Sequence, residues 1–82
     1  MHYALIQEYI TDNQSDVYVL EVASSLKLAM ETLKDEVDYF KYEHENATII
    51  KDTADRFEAF CKSYYGIVGL KLWIQPVVYR GE

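Results

Sequence analysis

Few residues in this chain of 82 could carry out nucleophilic or acid–base chemistry. The only histidines are His2 and His44, and the only cysteine is Cys61. A nucleophilic centre needs a nucleophile, a base that accepts its proton near neutral pH, and a group that orients the base. His44 is expected at the end of a helix, where the dipole stabilises an imidazolium, and Cys61 is expected as a small buried apolar side chain. We therefore expect no enzyme and no catalytic residue.

Two short segments look like ligand-binding motifs in their letters only. Glu43-His44-Glu45 resembles a run of metal ligands, but neighbouring side chains on a helix point about 100° apart and cannot converge on one ion. Tyr65–Gly69 contains two glycines, yet it lacks the following helix and the lysine of a phosphate-binding loop, so a turn is the better explanation. We therefore expect no metal and no cofactor. A pair of carboxylates in one cleft, as in a hydrolase, stays open as an alternative.

Composition excludes several classes of partner. Fourteen acids against eight bases give a net charge of −6, which repels a phosphate backbone, so we expect no direct binding of nucleic acid. A single cysteine fits a reducing compartment and thus the cytoplasm. No apolar run approaches the roughly 20 residues of a membrane-spanning helix, so we expect no membrane. The length and the 50% hydrophobic content predict one folded domain over residues 1–82.

The first half of the chain predicts a hairpin followed by a helix. β-Branched, aromatic and aliphatic residues predict strands over Tyr3–Ile10, which carries apolar side chains on both faces, and over Val17–Val22, joined by a polar turn. Ser24 or Ser25 can cap a helix that begins at Leu26, and we expect this helix to extend to Glu45. The side chains predicted to face the sheet are Leu26, Ala29, Met30, Leu33, Val37, Phe40 and His44.

The second half predicts three more strands. A short strand is expected over Ala47–Lys51, another over Arg56–Lys62, and a third over Leu70–Gln75, where Pro76 marks the end of the strand or an edge of the sheet. A helix over Thr53–Tyr65 is the alternative to the middle strand. The predicted fold class is α+β, with a mostly antiparallel sheet of about five strands, one amphipathic helix on one face, and the order β-β-α-β-β-β.

The predicted helix is strongly acidic. Six acids and three lysines over residues 26–45 give it a charge of −3, half of the net charge of the chain. The candidate partner-binding residues are Asp35, Glu36, Asp38, Tyr42, Glu43 and Glu45. Spaced carboxylates can take the place of phosphates at the lysines and arginines of another protein. The alternative is an ordinary solvated helix face.

Tyrosine is the second unusual feature, with eight in 82 residues. Tyrosine provides rigid amphipathic contact area at protein interfaces. Part of the excess reflects its preference for strands. We expect several of the phenol rings to be exposed.

Four segments carry a resemblance: Leu5–Tyr9, Ser15–Leu20, Ala23–Leu26 and Lys71–Ile74. In this arrangement the chain resembles small proteins of phages and mobile elements in Gram-positive gut bacteria. Proteins of this kind include anti-CRISPR proteins, which this chain resembles in size, in charge and in its lack of catalytic residues. The resemblance implies an inhibitor that blocks a host effector by occupying its nucleic-acid or partner surface. It assigns no residue, because anti-CRISPR proteins share no common motif.

We therefore expect a cytoplasmic, non-enzymatic inhibitor that binds a basic, nucleic-acid-handling host protein through the acidic residues and nearby tyrosines. The alternative is a self-assembling homodimer without an inhibitory role. In that case an exposed strand edge, Leu70–Ile74 or Ala47–Lys51, would pair with its copy.

Overall fold

A computed structural model describes residues 1–64 and 66–78 of the chain, without the side chain of Ser63. The elements in chain order are β1 (His2–Ile10), β2 (Ser15–Ala23), α1 (Leu26–Glu43), β3 (Thr48–Thr53), β4 (Arg56–Ser63) and β5 (Gly66–Val77). All strand pairs are antiparallel, and the single sheet has the order β2-β1-β5-β4-β3. The predicted α+β class and element order are confirmed, and β4 replaces the alternative helix over 53–65.

The sheet is centred on β5, which lies between β1 and β4. The prediction that Leu70–Ile74 offers a free strand edge is therefore wrong, since β1 and β4 pair with it on both sides. Alternating apolar residues report on the two faces of a strand and not on its edges, so the sequence could not show this. The two edge strands are β2 and β3, and β3 contains most of the other predicted edge, Ala47–Lys51.

The turn predicted over Tyr65–Gly69 is shorter than expected. β5 already begins at Gly66, and Tyr65 lies outside the described residues. Gly66 has a φ of 127°, a backbone conformation that glycine adopts without strain. An added Cβ there would also overlap the carboxylate of Asp12, which accepts a hydrogen bond from the Ile67 N–H at 3.1 Å. The β1–β2 turn and the β4–β5 turn are thereby joined.

Hydrogen bonds cap both ends of α1. The hydroxyl of Ser25 accepts a hydrogen bond from the Leu28 N–H at 3.2 Å, which identifies Ser25 as the N-cap. At the other end the His44 N–H donates to the Phe40 carbonyl at 2.9 Å. The helix stops at Glu43, two residues earlier than predicted, because a turn from His44 to Ala47, with a hydrogen bond of 3.1 Å, leads the backbone away.

The core lies between α1 and one face of the sheet. Ala29, Leu33, Val37 and Phe40 are the buried residues of the helix. Leu5, Phe57 and Leu72 are fully buried beneath it, and Ala59 and Leu70 are also buried. Leu26, which was predicted to face the sheet, is instead exposed at the first helical position, where the chain has just left the sheet. Within the described residues, no helix is long and apolar enough to cross a membrane.

No element of the described chain covers the opposite side of the sheet, which we call the open face. Pairing and alternation place these residues on it: Ala4, Ile6, Glu8, Ile10, Ser15, Val17, Val19, Val22, Thr48, Lys51, Thr53, Arg56, Glu58, Phe60, Lys62, Ile67, Gly69, Lys71, Trp73 and Gln75. Ile6 stands at its centre, opposite Val19 on one side and Trp73 on the other. The Arg56 guanidinium lies over the Trp73 ring, 5.9 Å from its centroid.

Candidate protein-binding surface

The six predicted partner-binding residues lie on or next to α1. We call them the acidic helix face: Asp35, Glu36, Asp38, Tyr42, Glu43 and Glu45. Asp35, Asp38 and Tyr42 follow the i, i+3, i+7 spacing of one helix face and point away from the sheet. Glu36 and Glu43 are seven residues apart on the flank that faces β1. Glu45 lies beyond the helix, in the turn that follows it.

Most of the acidic helix face is open to solvent. Glu36 is half-buried, and the other five residues are exposed, with 81% exposure for Tyr42. Among the carboxylates of the acidic helix face, only Asp38 forms an ion pair with a described residue. Its oxygen lies 3.3 Å from the Lys34 amine. Both partners of this i, i+4 pair are exposed, so it contributes at most about 0.5 kcal/mol. The surface therefore keeps its negative charge in the folded protein.

The three lysines of α1 follow each other at intervals of seven residues. Lys27, Lys34 and Lys41 line a groove of about 580 Å³ between the helix and the β3–β4 turn. The Lys41 amine forms an ion pair of 2.8 Å with Asp52 of β3. Because the lysines share one flank, no lysine or arginine of residues 1–64 and 66–78 forms an ion pair with Glu36 or Glu43 on the opposite flank.

That acidic flank borders a second groove, of about 330 Å³, between α1 and β1. Its lining residues are Gln7, Tyr9, Glu36, Tyr39, Phe40, Glu43, His44 and Leu70. The Tyr39 hydroxyl donates a hydrogen bond to Glu43, and this bond, together with the negative charge of Glu43, raises the pKa of the phenol. Tyr39 is 64% exposed and is a member of the surface that the sequence prediction left out. Its i, i+4 spacing to Glu43 was the available signal.

Most tyrosines of the described chain are exposed to solvent. Five of the six that the structure describes are exposed, namely Tyr9, Tyr18, Tyr39, Tyr42 and Tyr64, and Tyr3 is half-buried. Tyr65 and Tyr79 lie outside the described residues. Tyr9, Tyr39 and Tyr42 therefore surround the carboxylates of the helix with aromatic area.

The other residues considered for chemistry are His44, Cys61 and the segment Glu43-His44-Glu45. His44 is the C-cap of α1, and its ring lies 4.7 Å from the Phe40 ring between centroids. Cys61 is half-buried on β4. Glu43, His44 and Glu45 do not converge, and across residues 1–64 and 66–78 no three acidic, histidine or cysteine side chains come together as metal ligands would.

The open face is the feature that the sequence prediction did not assign to any site. Apolar residues at both parities of β1 were its signal, since a strand covered on one side only would need them at one parity. Five exposed apolar side chains lie on this face: Val17, Val19, Val22, Phe60 and Ile67.

Compared with known proteins, this sequence matches no family model, no curated protein and no solved structure.

Proposed function

We propose that this chain is a non-enzymatic inhibitor that binds a basic, nucleic-acid-handling protein through the acidic helix face. The single observation behind the proposal is the segregation of charge on α1. Exposed carboxylates and phenols occupy the outer face and the β1 flank, while the lysines occupy the β3 flank. A partner that approaches from the acidic side meets carboxylates with no amine among them except that of Lys34.

The density of charge suits a phosphate-binding partner. Asp35, Glu36, Asp38 and Glu43 lie within nine residues, and the first and last are about 12 Å apart along the helix at about 1.5 Å per residue. Their mean axial spacing of about 4 Å is comparable to the one phosphate per roughly 3.4 Å on a DNA strand. The lysines and arginines of a nucleic-acid groove would therefore meet a similar linear density of negative charge on this helix.

The exposed tyrosines supply the second half of the interaction. Charged pairs at the rim of an interface accelerate association but contribute little affinity, because water screens them. Tyr39 and Tyr42 add aromatic area, which can be desolvated on contact and so slow dissociation. Carboxylates that guide the partner and phenols that retain it account for both features of this surface. We propose that the target is a host effector that handles nucleic acid, which is what the resemblance to anti-CRISPR proteins implies.

The test is affinity capture from a lysate of a Gram-positive bacterium, with quantitative mass spectrometry of the bound proteins. We expect a defined basic protein to bind the wild-type chain and to be lost with D35N/E45Q. The matched control is D12N/D55N, which removes the same charge from two turns while each amide oxygen can still accept its hydrogen bond, from the Ile67 N–H and from the Thr53 hydroxyl.

Salt provides the second measurement on the captured pair. Between about 50 and 500 mM salt the Debye length falls from roughly 14 to 4 Å, so association through unpaired carboxylates should slow steeply. Equal capture by both double variants, or an association rate that does not change with salt, would contradict the proposal.

A further inference from the structure

The open face exposes more apolar surface than a freely soluble face usually does. Val17, Val19 and Val22 are 61%, 62% and 52% exposed, and Phe60 is 37% exposed. Half-buried Trp73 lies in the same row of the sheet as Val19, and the row of Glu8, Lys71 and Glu58 lies between that row and Phe60. Exposed apolar side chains grouped on one face mark surfaces that another molecule covers.

The size of the face is that of a small interface. Five strands about 4.8 Å apart and about eight residues long, at about 3.3 Å per residue, span roughly 600 Å². A standard interface buries about 800 Å² of accessible surface on each partner, and smaller interfaces belong to weaker complexes. The face therefore suits a complex whose formation depends on protein concentration.

Both edges of the sheet are less suited to association than this face. In β2, Leu20 has no partner in the register with β1, and in β3, Ile50 has none in the register with β4. Such bulges interrupt the ladder of hydrogen bonds and protect an edge strand against pairing with another strand. Association through a strand edge is accordingly disfavoured at both ends of the sheet.

A row of four charges crosses the open face. Glu8 of β1 is opposite Lys71 of β5, Lys71 is opposite Glu58 of β4, and Glu58 is opposite Lys51 of β3. The signs alternate from one strand to the next. A row of four alternating charges has a special property: when it is reversed and laid upon itself, every acid meets a base.

We propose that a second copy of this chain covers the open face. The two copies are related by a two-fold axis that runs parallel to the strands, between β5 and β4. Glu8 of one copy then lies opposite Lys51 of the second copy, and Lys71 lies opposite Glu58 of the second copy. Each contact occurs twice, so the dimer is closed and does not grow into a filament.

The neighbouring positions agree with this arrangement. One row along the strands, the same axis brings Trp73 opposite Arg56 of the second copy, which suits a cation against an aromatic ring. In the row on the other side, Phe60 meets Gly69 of the second copy, where the missing side chain leaves room for the ring. The strands β1, β5, β4 and β3 of the two copies then face each other as in two packed sheets about 10 Å apart, and β2 extends beyond the edge of the second copy.

The alternating row also argues against other occupants. A uniformly basic partner would bring like charge to Lys51 and Lys71, and an acidic partner would do so at Glu8 and Glu58. A second copy provides the complementary sign at all four positions of the row. The acidic helix face lies on the other side of the sheet and takes no part, so this proposal and the proposed function can fail separately.

The test is sedimentation equilibrium of the full chain at about 50 µM, a concentration that populates a dimer of micromolar dissociation constant. We expect wild type to have twice the monomer mass of 9.6 kDa. K71E and E58K each bring like charges together at two symmetric positions, so each should weaken the dimer roughly 10- to 100-fold. An equimolar mixture of the two variants should regain association, because every charge in the row then meets its opposite.

Recovery in the mixture also shows that both variants are folded. The controls are K27E and E31K, which make the same charge changes on exposed positions of α1 and should leave the mass unchanged. Several results would overturn the proposal: a monomeric wild type up to about 1 mM, where even weak complexes form, a dimer insensitive to K71E, or folded single variants that stay monomeric when mixed. A different macromolecule bound to the open face of a monomer would overturn the proposal as well.

Discussion

Phe57 and Phe60 of β4 offer a direct test of the two faces of the sheet. Phe57 is fully buried beneath α1, and its ring meets the Phe40 ring edge-on at 5.9 Å. Phe60 is on the open face and remains 37% exposed. The two residues have the same chemistry, the same strand and nearly the same position in the chain. A difference between the losses of unfolding free energy in Phe57→Ala and Phe60→Ala therefore reports on the surroundings of the two rings.

The structure sets the size of the expected difference. Full burial of a phenylalanine contributes about 2 to 3 kcal/mol, to which Phe57→Ala adds the cost of a cavity and of a lost aromatic pair, for a total of about 4 kcal/mol. Phe60→Ala leaves no closed cavity and should cost about 1.5 kcal/mol. A difference of about 2.5 kcal/mol corresponds to a shift of roughly 10 to 20 °C in Tm for a domain of this size.

Urea unfolding followed by circular dichroism and by Trp73 fluorescence measures both costs. The protein should be dilute, so that self-association does not stabilise the folded state. A domain of this length has about 4 to 12 kcal/mol of stability, so Phe57→Ala leaves a marginal fold, and Phe57→Leu, at about 1.5 kcal/mol, provides a milder version. Equal losses for the two alanine variants, or a larger loss for Phe60→Ala, would refute the assignment of the faces.

Three further predictions concern single contacts. Ser25→Ala removes the N-cap acceptor and should cost about 1 kcal/mol in thermal unfolding, whereas Ser25→Asp should keep the stability; equal melting of both would argue against the cap. Glu43→Gln should lower the Tyr39 pKa toward its ordinary value, as measured by carbon-13 NMR of the phenol, and an unchanged titration would contradict the hydrogen bond. The Arg56 guanidinium donates a hydrogen bond to Glu58 and so lowers the pKa of that carboxyl. The contact therefore stabilises the fold at pH values above the ordinary glutamate pKa. This stabilisation is lost as the pH falls through the lowered pKa. Arg56→Gln should therefore raise the Glu58 pKa in a carboxyl NMR titration, and a pKa that stays low would assign the shift to another cause.

Local sequence patterns were sufficient for the elements of this fold. Polar turn formers, a serine cap and apolar spacings of two or of three to four residues predicted all five strands and the helix in order. They act over a few residues, which is the range that such patterns report on. In the predicted strand Arg56–Lys62, alternation puts Phe57 and Ala59 on one face, and both are buried.

The lateral order of the strands was not accessible in this way. Nothing in the alternation of Leu70–Ile74 shows that β1 and β4 pair on either side of it, because that outcome depends on long-range contacts. Two-sided apolar patterning in β1 was visible, but it could not distinguish a second covering layer from an uncovered face. The acidic residues were recognised from composition, while the separation of the lysines onto the other flank of α1 emerged only from the packed helix.

The bulge at Leu20 determines which chain lengths β2 tolerates. On the Glu21 side of the bulge β2 pairs with Leu5, and on the Val19 side it pairs with Ile6. A deletion of Leu20 alone would leave a regular ladder, and all the remaining residues of β2 would stay on their present faces. Loss of one residue anywhere else in the strand, with the bulge retained, would turn Val17 and Val19 inward or Glu21 outward. Natural variation in the length of this protein should therefore spare β2 except at position 20.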